Sequence, residues 1–157
     1  MKIKALALLL TTLATGAMAE DKVLAVVVKG LDNPFFEQIN KGCQKWNAEN
    51  QGKGYTCFYT GPASSADEVG EVQIVQDLLQ RPDVAAIAIS PSNAPLMAKM
   101  LREQAPKIPI MTIDADLSTE DAGLRKTYLG TDNYLMGVKF AEHLKTLKPE
   151  GGTVCLQ

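Results

Sequence analysis

Short apolar runs of strand length alternate along this chain with longer segments in which apolar residues recur at helical spacing. The first run, at 23–28, contains only valine, leucine and alanine, and further strands are predicted at 55–60, 84–89, 108–113, 127–130 and 153–156. Helices are predicted between the strands, at 34–50, from a capping box at 65–68 to Leu79, at 93–104 and at 134–147. Strands that alternate with helices are typical of α/β proteins, so the pattern predicts a doubly wound parallel sheet of the flavodoxin-like kind.

The predicted sheet also places five separate loops at one edge. Parallel strands end on the same side, and open α/β sheets bind ligands at the carboxyl ends of their strands. The loops that follow the first five strands should therefore meet there: 29–36, 61–62, 90–92, 114–116 and 131–133. We expect these loops to form a polar rim that carries two aromatic rings.

Two adjacent phenylalanines, Phe35 and Phe36, follow the first strand where Asn33 and Pro34 predict the start of a helix. Aromatic rings at this edge would lie where a small molecule is held. Both rings could also belong to the core, and Phe36 fits the buried stripe of the helix, so Phe35 is the stronger candidate. Asn33 could cap the helix and still border a pocket.

Charged side chains occupy two other loops of the rim. Asp114 and Asp116 end the fourth strand at alternating positions, so their side chains should point to opposite sides. One could meet solute hydroxyls while the other caps or is solvated. A metal site built on this pair is an alternative, although hard cations prefer more oxygen ligands. Lys29, at the end of the first strand, is either a solvated lysine or a hydrogen-bond donor to a ligand.

The first residues of the chain have the three parts of a secretory signal peptide. Lys2 and Lys4 precede an apolar segment at 5–13, and Ala-Met-Ala at 17–19 matches a cleavage site. We expect a signal peptide over 1–19, cleavage before Glu20 and a periplasmic location; a buried N-terminal helix is the alternative. Cleavage would remove two lysines and change the formal charge from −2 to −4.

The composition excludes several classes of function. A mildly acidic chain lacks the basic surface that nucleic-acid binding requires. Neither a dinucleotide-binding nor a P-loop glycine motif is present. His143 is the single histidine and falls in a predicted helix, without a nucleophile elbow to accompany it. We therefore predict no catalytic residues, no metal, no cofactor and no enzymatic activity.

The three cysteines, Cys43, Cys57 and Cys155, would all be exported, where disulfides can form. Cys43 lies on the first helix and Cys57 in the next strand, and such neighbours can approach closely enough for a disulfide. We expect this pair to be bonded and Cys155 to be the odd thiol. The alternative is that Cys43 and Cys57 are buried as free thiols.

Five short motifs together resemble the type I periplasmic solute-binding family, whose members bind ribose, galactose, rhamnose or autoinducer-2 for import by ABC transporters. These motifs are Lys29 and the segments 32–36, 60–62, 112–116 and 130–134. The Gly-Pro at 61–62 and the two aspartates are most similar to the rhamnose and autoinducer-2 branch. The resemblance implies solute contacts from seven residues: Lys29, Asn33, Phe35, Phe36, Asp114, Asp116 and, at the hinge, Asn133.

The resemblance also implies a domain division, since members of this family have two similar lobes and about twice this length. Residues 20–132 match the first lobe, and 133–157 match the start of a second, incomplete lobe. We therefore expect either a fragment or a truncated gene. The implied partners are a small sugar-like solute and an ABC transporter permease. Alternatives are a sensing module that presents solute to a membrane kinase or chemoreceptor, and an exported flavodoxin-like enzyme.

Overall fold

A parallel sheet forms the centre of the computed structural model, which describes residues 21–155. Within these residues the strands are β1 (Lys22–Val27), β2 (Tyr55–Thr60), β3 (Val84–Ile89), β4 (Ile110–Ile113) and β5 (Tyr128–Leu129). They lie in the order β2-β1-β3-β4-β5, and every neighbouring pair is parallel. The predicted α/β fold is thus confirmed. β4 begins after Pro109 rather than at Ile108, in keeping with the missing N–H of proline.

The helices follow the predicted pattern closely. They are α1 (Glu37–Glu49), α2 (Glu68–Leu79), α3 (Ala94–Gln104) and α4 (Asn133–Leu147), and a 3-10 turn over Pro34–Phe36 precedes α1. Side chains of Asn33, Asn93 and Asp132 accept hydrogen bonds from the first turns of the helices that they precede. A second 3-10 helix, Thr119–Leu124, was not predicted because this polar segment has no apolar periodicity.

The core lies between the sheet and the α2–α3 layer. Val75 and Leu78 of α2 and Met97 and Leu101 of α3 are buried in one cluster with alternate residues of the central strands, such as Val27. Burial of each large apolar side chain stabilises the fold by about 1.5–3 kcal/mol. This layer fixes the positions at which β1, β3 and β4 end, and hence the geometry of the rim.

The opposite face of the sheet carries α1 against the edge strand β2. Cys43 of α1 and Cys57 of β2 form a disulfide in the structure, with their Cα atoms 5.5 Å apart. The Asn47 side chain donates to the Cys57 carbonyl oxygen at 2.9 Å and accepts from the Cys57 N–H at 2.7 Å. An edge strand lacks a partner on one side, so this amide supplies hydrogen bonds that a neighbouring strand would otherwise provide. Cys155 is an exposed free thiol.

The start of α2 differs from the predicted capping box at Ser65 and Glu68. Asp67 caps the helix instead, through a hydrogen bond that its carboxylate accepts from the Gly70 N–H at 2.9 Å. The hydroxyl and N–H of Ser65 donate to Asp32 Oδ1 at 2.7 and 2.9 Å. A tertiary contact between two rim loops therefore occupies the side chain that the local pattern assigned to the cap.

The predicted sixth strand and the predicted signal peptide fall near the two ends of the chain. Residues 153–155 do not form the predicted sixth strand, and residue 156 lies outside the described residues, as does the predicted signal peptide at 1–19. Leu144 is half-buried, the other residues of α4 are exposed, and Tyr134 is 85% exposed. Within residues 21–155, no helix combines the length and the hydropathy needed to cross a membrane.

Candidate functional site

The carboxyl ends of β1, β3 and β4 bring together a lysine, a serine and an aspartate. Asp114 Oδ2 lies 3.0 Å from Lys29 Nζ and accepts a hydrogen bond from Ser90 Oγ at 2.8 Å. Ser90 is fully buried, whereas the side chains of Lys29 and Asp114 keep 30% and 28% of their surface exposed. The rim thus holds an ion pair that solvent can reach, supported by a buried hydroxyl.

The backbone at Asp114 adopts a conformation that few residue types tolerate. Its φ is 61°, in the left-handed region where aspartate is enriched among non-glycine residues. The Asp114 N–H donates to the Leu129 carbonyl oxygen at 3.0 Å, and the Tyr128 hydroxyl donates to the Asp114 carbonyl oxygen at 2.9 Å. A side chain at Gly130 would collide with the Tyr128 ring. The strand after Asp114 therefore holds the turn that presents its carboxylate.

The two phenylalanines have different positions. The Phe35 ring is 60% exposed, while Phe36 is 1% exposed and meets Phe35 edge-on, with the ring centroids 5.2 Å apart. Phe36 is buried, as its place on the apolar stripe of the helix predicted, because the turn over Pro34–Phe36 directs it inward. The solute contact that the resemblance implied for Phe36 is therefore not favoured. Asn33 is exposed, and its side chain accepts from the Phe35 N–H at 3.0 Å, which holds the turn that presents Phe35.

A shallow hollow of about 390 Å³ lies beside these groups. Apolar side chains of the sheet and of α1, including Val26, Ala88 and Ile39, form much of its lining, and Phe35 and Asp114 border it. A mostly apolar concavity with few polar groups is the usual form of a small-molecule site. A second hollow of similar size is lined in part by Pro106 and Ile108. These residues come just before β4, so this hollow lies at the amino-terminal edge of the sheet, opposite the rim.

Asp116 has a different set of partners from Asp114. Arg125 donates to its two carboxylate oxygens from Nε at 2.7 Å and from Nη2 at 2.5 Å. The Thr112 hydroxyl and the Leu117 N–H donate to the same carboxylate at 2.6 and 2.9 Å. These hydrogen bonds lower the pKa of Asp116 to about 2, and the one from Arg125 has the largest effect. The expected solute contact from Asp116 is not favoured, because its carboxylate is already saturated.

Sequence reasoning placed the rim loops correctly but missed residues that orient them. Asn133, predicted at the hinge, is the exposed first residue of α4. Arg125, Tyr128 and Glu71 were not singled out, since their partners lie in loops that only the folded sheet brings near. The one available signal was Glu71, a carboxylate within the otherwise apolar face of a helix.

Residues 21–155 contain no group of three or more histidine, cysteine, aspartate or glutamate side chains that could hold a metal ion. The nearest cations to Asp114 and Asp116 are instead the side chains of Lys29 and Arg125. Chemically, the rim offers a hydroxyl-binding carboxylate, an ammonium donor and an aromatic face. This set can bind a small polar molecule through hydrogen bonds and stacking.

Curated proteins similar in sequence to this chain match it over most of its length but over only about half of their own. The ribose import binding protein RbsB of Salmonella typhimurium is 29% identical over 145 residues, which cover 91% of this chain and 45% of that protein. The chain therefore spans about half the length of the curated relatives that it matches.

Solved structures of solute-binding proteins also match most of this chain and less than half of their own length. An ABC transporter solute-binding protein of Burkholderia graminis, in complex with D-arabinose, has a TM-score of 0.67 and 28% identity, covering 85% of this chain and 44% of that one. A solute-binding protein of Agrobacterium vitis with bound D-fucose has a TM-score of 0.68 and 25% identity, covering 79% and 42%.

The chain also matches a described protein family. Residues 24–157, most of the chain, match the family described as periplasmic binding protein domain. The TM-scores show that the solved relatives share the fold of this chain. These proteins are binding proteins rather than enzymes. The chain belongs to the periplasmic binding protein family.

Proposed function

We propose that this chain forms the first lobe of a periplasmic receptor that binds a sugar or a similar small polar solute for an ABC importer. The observation that carries the proposal is the Lys29–Asp114 ion pair beside the exposed ring of Phe35, at the carboxyl edge of a parallel sheet. The proteins with bound D-arabinose and D-fucose, and the ribose import binding protein, support a sugar as the class of solute.

The geometry suits a polyhydroxylated ring. A sugar hydroxyl can donate to Asp114 and accept from Lys29, and the ion pair already holds the two groups 3.0 Å apart. Groups positioned before binding lose less conformational entropy when the solute arrives. Phe35 offers a face on which the C–H side of the ring can stack, while Asn33 holds the turn beneath it. Phe36 supports Phe35 from the core instead of contacting the solute.

The proposed division into lobes places residues 20–132 in the first lobe and 133–157 at the start of the second, with Asn133 at the hinge. Two observations support this division. The sheet ends at β5, just before Asn133, and the apolar side chains of α4 are exposed instead of packing on the sheet. A second lobe would supply the other half of the solute contacts and, together with the first, the surface for a permease.

Export is the remaining part of the proposal. The charged start, the apolar segment and the Ala-Met-Ala at 17–19 support removal of residues 1–19 and a periplasmic location. Intact-mass measurement of protein recovered from a periplasmic extract should show a chain that begins at Glu20. A mature chain that retains Lys2 and Lys4 would contradict this part of the proposal.

The solute contact is tested by substitution of Asp114. Asparagine tolerates the left-handed backbone, so Asp114→Asn keeps the turn and removes the charge. Hydrogen bonds to charged groups contribute about 1.5–3 kcal/mol, so binding of D-ribose, D-arabinose or D-fucose should weaken about tenfold or more. NMR titration of the 157-residue chain with each sugar measures this.

Asp77→Asn, on the exposed side of α2, is the matched control and should bind as the unmodified chain does. Lys29→Met should weaken binding in the same way as Asp114→Asn. Equal sugar affinity in all four proteins would remove the ion pair from the site, even if the chain binds sugar.

A further inference from the structure

A buried glutamate lies beneath the rim and is not explained by packing. Glu71 lies in the first turn of α2 and is 1% exposed. Its Oε2 accepts hydrogen bonds from the Ser92 N–H, at 2.9 Å, and from the Ser92 hydroxyl. Its Oε1 is buried without a hydrogen-bond partner among the described residues. Carboxylates are rarely buried unless they are paired, so this side chain requires a function that offsets the cost of its desolvation.

The partner of Glu71 belongs to the loop that supports the candidate site. Ser92 is two residues after Ser90, whose hydroxyl donates to Asp114 at 2.8 Å. The same loop is held a second time from α2, because Asn93 donates from Nδ2 to Glu68 at 2.8 Å. A continuous set of contacts therefore runs from α2, through the loop after β3, to the carboxylate of Asp114.

We propose that Glu71 is a positioning residue of the candidate site: it holds the loop after β3 through Ser92 and so places Ser90 against Asp114. The inference rests on the proposed function and extends it to a residue that does not touch the solute. Loss of the Glu71 carboxylate should free the loop, loosen the Ser90–Asp114 hydrogen bond and let the Lys29–Asp114 pair lose its fixed geometry.

The electrostatic surroundings agree with this role. Burial raises the pKa of Glu71, and the hydrogen bonds from Ser92 and the charge of Lys29 act in the opposite direction, while Glu68 raises the pKa further. Glu71→Gln keeps an acceptor for Ser92 and removes the titration. Glu71→Ala removes the acceptor altogether. The two variants therefore separate the hydrogen bond from the charge.

The first test does not depend on any solute. In NMR spectra of the 157-residue chain, Glu71→Ala should raise hydrogen exchange at the Ser92 amide about tenfold and shift the Ser90 and Asp114 amides, while Glu71→Gln should do neither. Val75→Ala is the control, because it leaves a cavity beside the same helix and lowers stability without removing a contact to Ser92. Equal effects of Glu71→Ala and Val75→Ala on these amides would overturn the proposal. If Glu71→Ala does not fold, Ser92→Ala tests the same contact and should also shift the Ser90 and Asp114 amides; unchanged amides would overturn the proposal.

A pH titration gives a second readout that a purely structural role would not produce. The Ser90 and Ser92 amides should share an inflection above the ordinary glutamate pKa, and Glu71→Gln should abolish it. Lys29, Glu68 and Asp114 are the other charged groups near this loop, and they remain in the variant. An inflection that persists in Glu71→Gln would contradict the assignment.

A titration with D-arabinose then links the loop to binding. Glu71→Ala should weaken the apparent affinity about tenfold or more, and Glu71→Gln should stay within about twofold of the unmodified chain. Unchanged affinity in Glu71→Ala would remove Glu71 from the positioning role. Absence of sugar binding in every protein, including the unmodified chain, would count against the proposed function, whereas the amide measurements would still decide the role of Glu71.

Discussion

Two aspartates, two positions apart, show how much a single residue's surroundings decide. Asp114 pairs with Lys29 and Ser90 at the exposed rim, whereas Asp116 is bound by Arg125 and Thr112. Both are acidic residues at the end of the same strand, and their alternation predicted that they would differ. In the structure, the ion pair of Asp114 can be reached by solvent, whereas the carboxylate of Asp116 already accepts hydrogen bonds at both of its oxygens.

The Asp116–Arg125 pair should make stability depend on pH in the acid range. The pKa of Asp116 falls from 3.8 to about 2 in the folded protein, so its contribution is complete above pH 3.8 and is lost as the pH falls towards 2. After allowance for solvent screening, Asp116→Asn should lower the free energy of unfolding by about 1–2 kcal/mol at pH 7. Urea unfolding at several pH values measures this difference, which should shrink towards pH 2.

Glu103→Gln is the control for the acid-range prediction. Its carboxylate forms an exposed pair with Lys99 at 4.0 Å, so its loss should change stability by less than about 0.5 kcal/mol. A pH-independent effect of Asp116→Asn would show that the ion pair is not the source of the stability.

At the scale of elements, α1 protects the edge of the sheet. β2 has a neighbour on one side only, and Asn47 of α1 pairs with both backbone groups of Cys57 at that edge. The Cys43–Cys57 disulfide joins the same two elements. Exposed strand edges favour association with other chains, so these contacts also limit aggregation at this side of the sheet.

The disulfide remains a prediction for the exported protein. A bridge over 14 positions should stabilise the fold by about 3 kcal/mol in the chain-entropy model. Thiol counting on denatured, unreduced protein should find one free thiol, that of Cys155. Three free thiols would exclude the bridge. Cys155→Ser should reduce the count to zero and thereby confirm which thiol is free.

At the scale of the whole molecule, the described residues present the candidate site at one edge of the sheet and, separately, an uncovered helix. Phe140, Tyr134 and Met136 of α4 are more than half exposed. Apolar surface of this extent usually contacts another part of a protein. The relatives are about twice as long as this chain. In the proposed arrangement, a second lobe would cover this helix and share the site.

The 157-residue chain, expressed by itself, should bind sugar only weakly. With one side of the solute exposed, each hydrogen bond replaces one to water and contributes only about 0.5–1.5 kcal/mol. Loss of several contacts at about 1.4 kcal/mol per tenfold would turn a micromolar site into a millimolar one. Titration calorimetry with pentoses, hexoses and 6-deoxyhexoses measures the affinity, with analytical ultracentrifugation to confirm a monomer. Micromolar binding by that monomer would refute the argument.

The sequence by itself determined most of the local structure, although not the cap of α2 or the second 3-10 helix. Apolar runs placed β2 and β3 with the observed bounds, and the cap at Asn33 marked the start of the first helical segment. These features depend on neighbours in the chain, whose effects a sequence pattern records directly. The same alternation of elements determined a parallel sheet and so predicted that Lys29 and Asp114 would lie at one edge.

Only the tertiary structure decided which side chains meet. The order of the strands brings Ser90 between Lys29 and Asp114, and the left-handed turn at Asp114, held by Tyr128, sets the direction of its carboxylate. The helical pattern already favoured burial of Phe36 over Phe35, but the geometry of the turn that exposes the Phe35 ring beside Asp114 is visible only in the structure. The physical reason is that such contacts join residues distant along the chain, and their geometry exists only after the sheet has formed.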